Sequence, residues 1–204
     1  MSDVSSTREE LLDAAYEVLV SQEYEGFTTA AVAEAADRNQ SLVHYYFDTK
    51  RDLVLALFDY LESVVDDPMD AAAEIDDPAE RLRSILSYLL WVDDDAFHAP
   101  GSREEAVAFK RGFLWLESQA LSDPALREAM AENRASIRRA VQAAIEDGIE
   151  RGRFREDVDP DAVTAFLLAA VGGAMSWGAL DGTDARDELV LATMDAVIEE
   201  WLVA

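Results

Sequence analysis

The chain has 204 residues, half of which are hydrophobic, and its formal net charge at pH 7 is −26. This hydrophobic content allows a buried core and argues against a disordered chain. No cysteine is present, which excludes disulfides, thiolate nucleophiles and cysteine-ligated metal sites. We find no apolar run of roughly 18 residues and no charged-then-apolar leader, so we expect a soluble, cytoplasmic protein that does not enter a membrane.

The acidic residues are spread along the whole chain, and almost all cations are arginines, with lysine only at Lys50 and Lys110. Dispersed carboxylates with little lysine are typical of proteins from salt-accumulating organisms, in which screening makes the self-repulsion tolerable. The alternative is an acidic protein that binds cations or basic partners. Because the acids form no single cluster, the pattern favours a halophilic origin.

Helical periodicity runs through almost every long segment and no segment alternates like a strand, which predicts an all-α fold. Ser6 and Glu9 have the spacing of a capping box, so the first helix should begin near Ser6 and end before Gly26. Thr28 or Thr29 is a candidate cap for a second, short helix, and Asn39 for a third. The expected inward faces consist of Leu11, Ala14, Ala15, Val18 and Leu19, then Val32, Ala33 and Ala36, then Val43, Tyr46 and Phe47.

Thr49 and Asp52 predict another cap, which leads into a longer connecting helix. Beyond it, four Asp-Pro pairs each place a capping carboxylate before a proline that suits a first helical turn. The pair Asp67-Pro68 is expected to start a short turn of helix in the connection. The other pairs and the periodicity predict helices at about 78–92, 102–121, 124–151, 160–180 and 184–203. The predicted units are a helix-turn-helix domain over 1–48, a connecting helix over 49–67 and a larger helical domain over 68–204.

Two short helices joined by about four residues form a helix-turn-helix over about 28–47. With its apolar residues inward, the second of these helices turns Gln40, Ser41, His44 and Tyr45 outward. Glutamine can pair with adenine in the major groove, and hydroxyl, imidazole and ammonium groups can donate to phosphates. Residues 1–60 hold twelve acidic and four basic residues, unlike the basic footprint of most DNA-binding domains. The acidic charge extends over the whole chain and is not specific to this region. The spacing of the motif therefore counts more than the charge in predicting DNA binding.

Residues 7–55 resemble the DNA-binding domain of the TetR/AcrR family of transcriptional regulators in the order and spacing of their motifs. The matching residues are Ala14-Ala15, Gly26-Phe27-Thr28-Thr29, Val32-Ala33, Ala36, Leu42-Val43-His44-Tyr45-Tyr46-Phe47, Thr49-Lys50 and Leu53. The resemblance implies base contacts from the start of the recognition helix and backbone contacts around it. The predicted DNA-binding residues are Thr28, Thr29, Arg38, Asn39, Gln40, Ser41, Leu42, His44, Tyr45 and Lys50.

The chain departs from the family pattern at the turn, where Asp37-Arg38-Asn39 stands in place of Gly-Val-Ser. Without the glycine, residue 37 must tolerate a left-handed conformation, which aspartate does better than most residues. Arg38 cannot bury its charge cheaply, so we expect it to point outward, within reach of a phosphate. His44 replaces a phosphate-contacting tyrosine and keeps a donor with a shorter reach.

The C-terminal part resembles the same family more weakly, over Trp115-Leu116 to Asp123-Pro124 and over 148–154. The resemblance implies a dimer through the last two helices and an effector pocket with aromatic walls, which would accept an apolar or aromatic small molecule. Such a dimer would read a near-palindromic operator. The predicted interface residues are Phe166, Ala170, Gly173, Trp177, Leu191, Met194, Ile198 and Trp201. The predicted pocket residues are Tyr88, Trp91, Phe109, Phe113, Trp115 and Met130, each of which has ordinary core as its alternative, with Arg111 and Arg134 as candidate polar anchors.

These observations predict a DNA-binding transcriptional regulator without a cofactor, a repressor that a small-molecule effector releases from its operator. One alternative is a carboxylate-bridged metal enzyme in a helical bundle, because Asp95 and His98 have the i, i+3 spacing that such sites use. Only one such pair exists, however, and the sequence contains no P-loop, His-Glu-x-x-His or Gly-x-Ser-x-Gly motif. A further alternative is a helical dimer that has lost DNA binding and interacts only with other proteins.

Overall fold

The computed structural model describes residues 2–21, 26–90, 103–182 and 185–204 of the chain. Within these ranges the secondary structure is helical, and extended backbone pairs only at an isolated antiparallel bridge between Phe154 and Val203. The all-α prediction is confirmed. The helices are α1 (Ser2–Ser21), α2 (Thr29–Ala35), α3 (Gln40–Tyr46), α4 (Lys50–Ala73), α5 (Pro78–Leu90), α6 (Arg103–Ala120), α7 (Pro124–Glu150), α8 (Pro160–Asp181) and α9 (Ala185–Val197), which continues into a π-helical turn (Ile198–Leu202).

Helices α1 to α3 pack around an apolar core formed by the residues that periodicity places inward. Leu11, Val32 and Val43 are completely buried, and Phe47 is 3% exposed. The predicted start of α1 near Ser6 was wrong, because the helix already begins at residue 2. Neither glycine nor proline stands among residues 2–5, so the chain offers no break there.

The predicted break at Asp67-Pro68 was also wrong, because α4 continues through it to Ala73. The φ angle of proline is compatible with a helix, but inside one it removes a backbone hydrogen bond and its ring crowds the carbonyl four residues earlier, at a cost of about 3 kcal/mol. Helix α4 tolerates this cost. The start of α4 agrees with the prediction. The Thr49 hydroxyl accepts from the Asp52 backbone N–H, and the Asp52 carboxylate accepts from the Thr49 N–H, which forms a complete capping box.

Three of the C-terminal helices, α5, α7 and α8, begin at the predicted Asp-Pro caps. Asp77, Asp123 and Asp159 each accept hydrogen bonds from two backbone N–H groups in the first turn of α5, α7 and α8. After α7 the chain folds back so closely that a Cβ at Gly148 would lie 2.1 Å from Cδ2 of Phe154, whose ring is 1% exposed. Only glycine leaves room for this ring between α7 and the chain's last residues.

Helix α8 corrects the expectation that no apolar run is long enough to cross a bilayer. Residues 162–180 carry no charged side chain, and in the described part of the chain α8 alone passes the test of length and composition for a membrane span. Glycine, serine and threonine interrupt the apolar side chains of this run, so the sequence does not show it as a continuous apolar segment. In the structure α8 packs against α6, α7 and α9, and it buries Thr164, Leu167 and Ala174.

A single core cluster joins the helix-turn-helix to the larger C-terminal part. Besides residues of α1 to α4, this cluster contains Trp115 and Leu116 of α6 and Leu126 and Met130 of α7. Close packing supports the contact, since a Cβ at Gly112 of α6 would lie 2.8 Å from Cγ of Leu19 in α1. The N-terminal helices therefore pack on α6 and α7, and a displacement of α6 would also displace α1.

Candidate DNA-binding surface and effector cavity

The turn between α2 and α3 is built by local capping bonds. The Thr28 hydroxyl accepts from the Ala31 N–H at 3.1 Å, and the Asn39 side-chain oxygen accepts from the Leu42 N–H at 2.9 Å. Asp37 has a φ angle of 52° and is the one non-glycine residue with positive φ in the described ranges. The expectation that Asp37 adopts the left-handed conformation of the missing glycine is confirmed, and the turn keeps its shape.

Helix α3 has one buried face and one polar face, as its sequence predicts. Val43 and the following Phe47 face the core, whereas Gln40, Ser41 and His44 are exposed. Tyr45 is the most exposed aromatic residue of this region, at 77%. Its ring rests edge-on against Tyr46, with centroids 5.2 Å apart, so the phenol projects from a supported position. This face offers hydrogen-bond donors at the start and middle of the helix.

Gln40 is positioned by two neighbours. Its Nε2 donates to the Thr29 hydroxyl at 3.0 Å and lies 3.5 Å from Nε2 of His44. Thr29 is only 9% exposed, so its hydroxyl supports Gln40 and does not face outward like that of Thr28. Of the two threonines implied by the resemblance, only Thr28 has an exposed side chain. The start of α3 is thereby fixed to the start of α2.

The cations around α3 have intramolecular partners that the sequence did not reveal. Arg38 points outward as expected, but it donates to the Glu10 carboxylate at 2.9 Å, with both side chains nearly half exposed. Lys50 lies 5.6 Å from the ring centroids of both Phe27 and Trp115. Exposed cation–π contacts are worth about 0.5–1 kcal/mol. Both side chains are accessible from solvent, and their internal contacts are weak.

Two contacts join the helix-turn-helix to the C-terminal helices, one aromatic and one polar. Phe27, just before α2, packs against Trp115 of α6 with ring centroids 5.2 Å apart. Arg51 of α4 binds Asp123, the cap of α7, through two bonds of 2.5 and 3.0 Å. The Arg51 guanidinium and the first N–H groups of α7 lower the pKa of Asp123 to about 2. The carboxylate thus stays charged and holds α4 to α7.

A cavity of about 980 Å³ lies between α1, α4, α5, α6, α7 and α8. Tyr88, Phe109 and Phe113 line it as predicted, but Trp115 and Met130 belong to the core cluster that joins the two parts of the chain. Phe109 and Phe113 are one helical turn apart on α6, whereas Trp115 faces the other side of the helix. Trp91 lies outside the described residues. The volume falls within the range of small-molecule sites.

The cavity wall is both aromatic and acidic. Tyr16 of α1 contacts Phe109 with ring centroids 6.5 Å apart, and Phe109 stacks on Phe113 at 6.2 Å. Asp13 and Glu17 of α1 line the same cavity. The Tyr60 hydroxyl donates to Asp13, and burial together with this carboxylate raises the pKa of Tyr60 to about 12. Helix α1 was not predicted to contribute to the cavity, because its sequence reveals only a polar outer face.

The cations of the cavity wall are each paired with a carboxylate. Arg134 donates to Glu117 at 2.5 Å, and Arg138 to Asp161 at 2.6 Å. Lys110 forms a buried ion pair with Asp187 of α9, with side chains 0% and 4% exposed. Of the two candidate polar anchors, Arg134 lines the cavity, while Arg111 donates to the carbonyl of Ala179 and lies outside the lining.

An apolar face runs over α8, α9 and the π-helical turn. Phe166, Trp177 and Trp201 are 51%, 56% and 61% exposed, in agreement with an outward role. Met194 and Ile198 were placed on the wrong side, because they are 2% and 0% exposed and belong to the protomer's own core. The partly buried residues of the predicted interface are Ala170, Gly173 and Leu191. Leu180 and Leu189, 69% and 67% exposed, were missed.

Comparison with known proteins decides the family. Residues 11–57 match the model of the bacterial regulatory proteins of the tetR family, and residues 75–200 match the model of the tetracyclin repressor-like C-terminal domain. The chain belongs to the TetR family. It is therefore a DNA-binding transcriptional regulator, and proteins of this family bind DNA operators and small-molecule ligands and dimerise.

Individual relatives agree with this assignment. The chain is 25% identical over 190 residues to the HTH-type transcriptional repressor AcnR of Corynebacterium diphtheriae, covering 93% of this chain and 90% of the relative. A TetR transcription regulator from Haloarcula marismortui is 30% identical, with a TM-score of 0.85 and coverage of 97% and 99% of the two chains. A regulator from Saccharomonospora viridis, solved in complex with choline, shares the fold with a TM-score of 0.81 at 20% identity and coverage of 98% and 99%.

The metal-enzyme alternative rested on Asp95 and His98, which lie outside the described residues. Among the residues that the structure does describe, no three or more histidine or acidic side chains are grouped so that they could hold a metal ion. The family is one of transcriptional regulators and not of enzymes.

Proposed function

We propose that the chain is a cytoplasmic, homodimeric repressor that a small molecule in the α1–α8 cavity releases from a near-palindromic operator. The observation that carries this proposal is the position of α6. Its residues Phe109 and Phe113 face the cavity, while its Trp115 packs against Phe27 at the base of the helix-turn-helix. A ligand that displaces α6 would therefore act on the DNA-binding helices through a direct contact.

Release follows if the effector prefers a conformation in which the two recognition helices no longer match successive turns of the groove. A ligand shifts such an equilibrium only by its difference in affinity for the two conformations. Gly112, packed on Leu19, transmits a shift of α6 to α1, and the pair of Arg51 with Asp123 ties α4 to α7. Together these contacts define how a change at the cavity reaches α3.

On the DNA, we propose that Gln40 and Ser41 read base edges and that Thr28, Tyr45 and Lys50 contact the backbone. The support of Gln40 by Thr29 fixes its amide before binding and lowers the entropy cost of the contact. Lys50 would leave the rings of Phe27 and Trp115 for a phosphate, so DNA binding and junction packing share one side chain.

Substitutions at the two types of contact test these roles. Gln40→Ala should reduce discrimination between operator and random DNA by about 1–3 kcal/mol, the value of a good base-edge contact. Tyr45→Phe, the matched control, should weaken binding to operator and random DNA by similar factors, because phosphates carry no sequence information. Fluorescence anisotropy with both DNAs measures the ratio. Equal losses on operator and random DNA for Gln40→Ala would remove Gln40 from base reading.

We further propose that the dimer forms through the exposed apolar face of α8, α9 and the π-helical turn. A second copy would then cover Phe166, Trp177 and Trp201. Leu180 and Leu189, which are exposed, would belong to this interface in place of the buried Met194 and Ile198. Trp201→Asp should place an unpaired charge in the seam and dissociate the dimer. Multi-angle light scattering at micromolar concentration that still finds a dimer would place the interface elsewhere. Leu121→Asp, at an 83% exposed position of the loop after α6, is the control.

A further inference from the structure

We infer that the cavity binds a hydrophobic organic cation, an inference that rests on the proposed effector role of this cavity. The first observation is the balance of charge on its wall. Lys110, Arg134 and Arg138 reach the cavity, but each is already neutralised by a carboxylate. An anionic ligand would compete with these carboxylates, at little cost for the exposed pairs of Arg134 and Arg138 but at a large cost for the nearly buried pair of Lys110.

The carboxylates of α1 are in a different situation. Asp13 and Glu17 are one helical turn apart, so they lie on the same side of the helix, and both line the cavity. Neither forms an ion pair with a cation in the part of the chain that the structure describes. Asp13 accepts a hydrogen bond from Tyr60, which fixes the carboxylate beside a ring without neutralising it. The α1 side of the cavity thus keeps two negative charges for a ligand.

Aromatic rings line the same cavity as these carboxylates. Tyr16 stands between Asp13 and Glu17 in the sequence, and its ring begins a row that continues through Phe109 to Phe113. The faces of such rings attract cations, and rings combined with carboxylates form the cages that hold quaternary ammonium groups. The charged group of the ligand therefore fits at the α1 end, near Asp13 and Glu17, while its apolar body lies along the rings.

Two probe ions of the same shape and opposite charge test this inference on the full-length protein. Tetraphenylphosphonium is the cation and tetraphenylborate is the anion. Binding is measured by isothermal titration calorimetry in 1 M sodium chloride. At this salt concentration the Debye length of about 3 Å suppresses the general attraction of an acidic protein for cations. The cation should bind at least tenfold more tightly than the anion.

Removing the two α1 charges should abolish this preference. Asp13→Asn/Glu17→Gln should weaken tetraphenylphosphonium binding by roughly 3- to 10-fold, because two exposed charges that act at contact distance even in 1 M salt are lost. Glu128→Gln/Glu156→Gln removes two charges from exposed positions outside the cavity lining and should leave the affinity unchanged. Absence of cation binding at millimolar concentration, anion binding of equal strength, or an unaffected Asp13→Asn/Glu17→Gln variant would overturn the inference. Circular dichroism verifies that each variant is folded.

A separate measurement distinguishes this inference from the proposed function. In the wild type, tetraphenylphosphonium should also lower operator affinity, and in Asp13→Asn/Glu17→Gln it should not. If the cation binds selectively but leaves operator affinity unchanged, the ligand class stands and the proposed release mechanism fails. If operator release occurs with the anion and not with the cation, the release mechanism stands and the ligand class fails.

Discussion

The buried ion pair between Lys110 and Asp187 provides a quantitative test of the C-terminal packing. It joins α6, which lines the cavity, to the first turn of α9, which carries part of the exposed apolar face. Both side chains are almost completely shielded from water, at 0% and 4% exposure. Removing one partner leaves an uncompensated charge in the core, which costs about 3–5 kcal/mol. We therefore expect Lys110→Met to be strongly destabilised.

For a chain of this length, 1 kcal/mol corresponds to a shift of about 2–4 °C in melting temperature. Lys110→Met should therefore melt roughly 6–20 °C below the wild type. Lys110→Met/Asp187→Leu should recover most of the loss, because an apolar pair can replace a buried ion pair at little cost. Thermal unfolding is followed by circular dichroism at one fixed protein concentration, in 0.2 M and in 2 M potassium chloride.

Salt separates this buried pair from the exposed ones. The deficit of Lys110→Met should be the same at both salt concentrations, since ions do not reach the pair. Arg155→Gln is the control, because Arg155 and Asp157 are 47% and 69% exposed, and exposed pairs contribute little. A Lys110→Met variant that melts with the wild type, or a double variant less stable than Lys110→Met, would refute the reasoning.

Packing, pH and salt each allow one further test of the structure. Gly148→Ala should lower the free energy of unfolding by at least about 1–3 kcal/mol, because the new methyl group overpacks against Phe154. Gly172→Ala, where a Cβ meets nothing within 4 Å, should be neutral or stabilising. Equal urea midpoints for the two variants would contradict this prediction. The pKa of Asp123 is lowered from 3.8 to about 2, so its ion pair stabilises the fold above pH 4 and is lost as the pH falls toward 2. The difference in melting temperature between wild type and Asp123→Asn should therefore disappear as the pH falls from 4 to 2. A difference that stays constant over this range would contradict the prediction. Operator affinity should be flat or rising between about 0.2 and 2 M potassium chloride, because screening removes the repulsion between the DNA and the surrounding carboxylates. Counterion release alone would give a steep fall in affinity. Such a fall in a protein that stays folded would contradict the prediction.

Local features of the fold were predictable from the sequence because capping acts over three or four residues. Asn39, Thr49 with Asp52, and Asp123 all cap the helices that their positions predict. The left-handed turn at Asp37 was predictable for the same reason, since its conformation depends on its immediate neighbours. The helix-turn-helix could therefore be located, and its outward residues named, without the structure.

Tertiary contacts account for what the sequence did not reveal. Trp115 was expected in the cavity, but only the packing of α6 on α1 shows that its ring meets Phe27. Met194 of α9 and Ile198 of the π-helical turn fall on an apolar stripe that could face either a second copy or the protomer's own core, and in the structure they belong to that core. Asp13 and Glu17 are exposed acids of α1 in the structure too, and only the packing of the other helices shows that they border the cavity.

DNA selection tests most directly whether a dimer of this chain reads DNA through α3. Purified protein is mixed with fragments of the genome that encodes it, and the retained fragments are sequenced and footprinted. We expect a shared near-palindromic site whose half-sites are protected about one helical turn apart, roughly 34–36 Å. Retention of fragments without a common site, in proportion to their abundance, would contradict the claim.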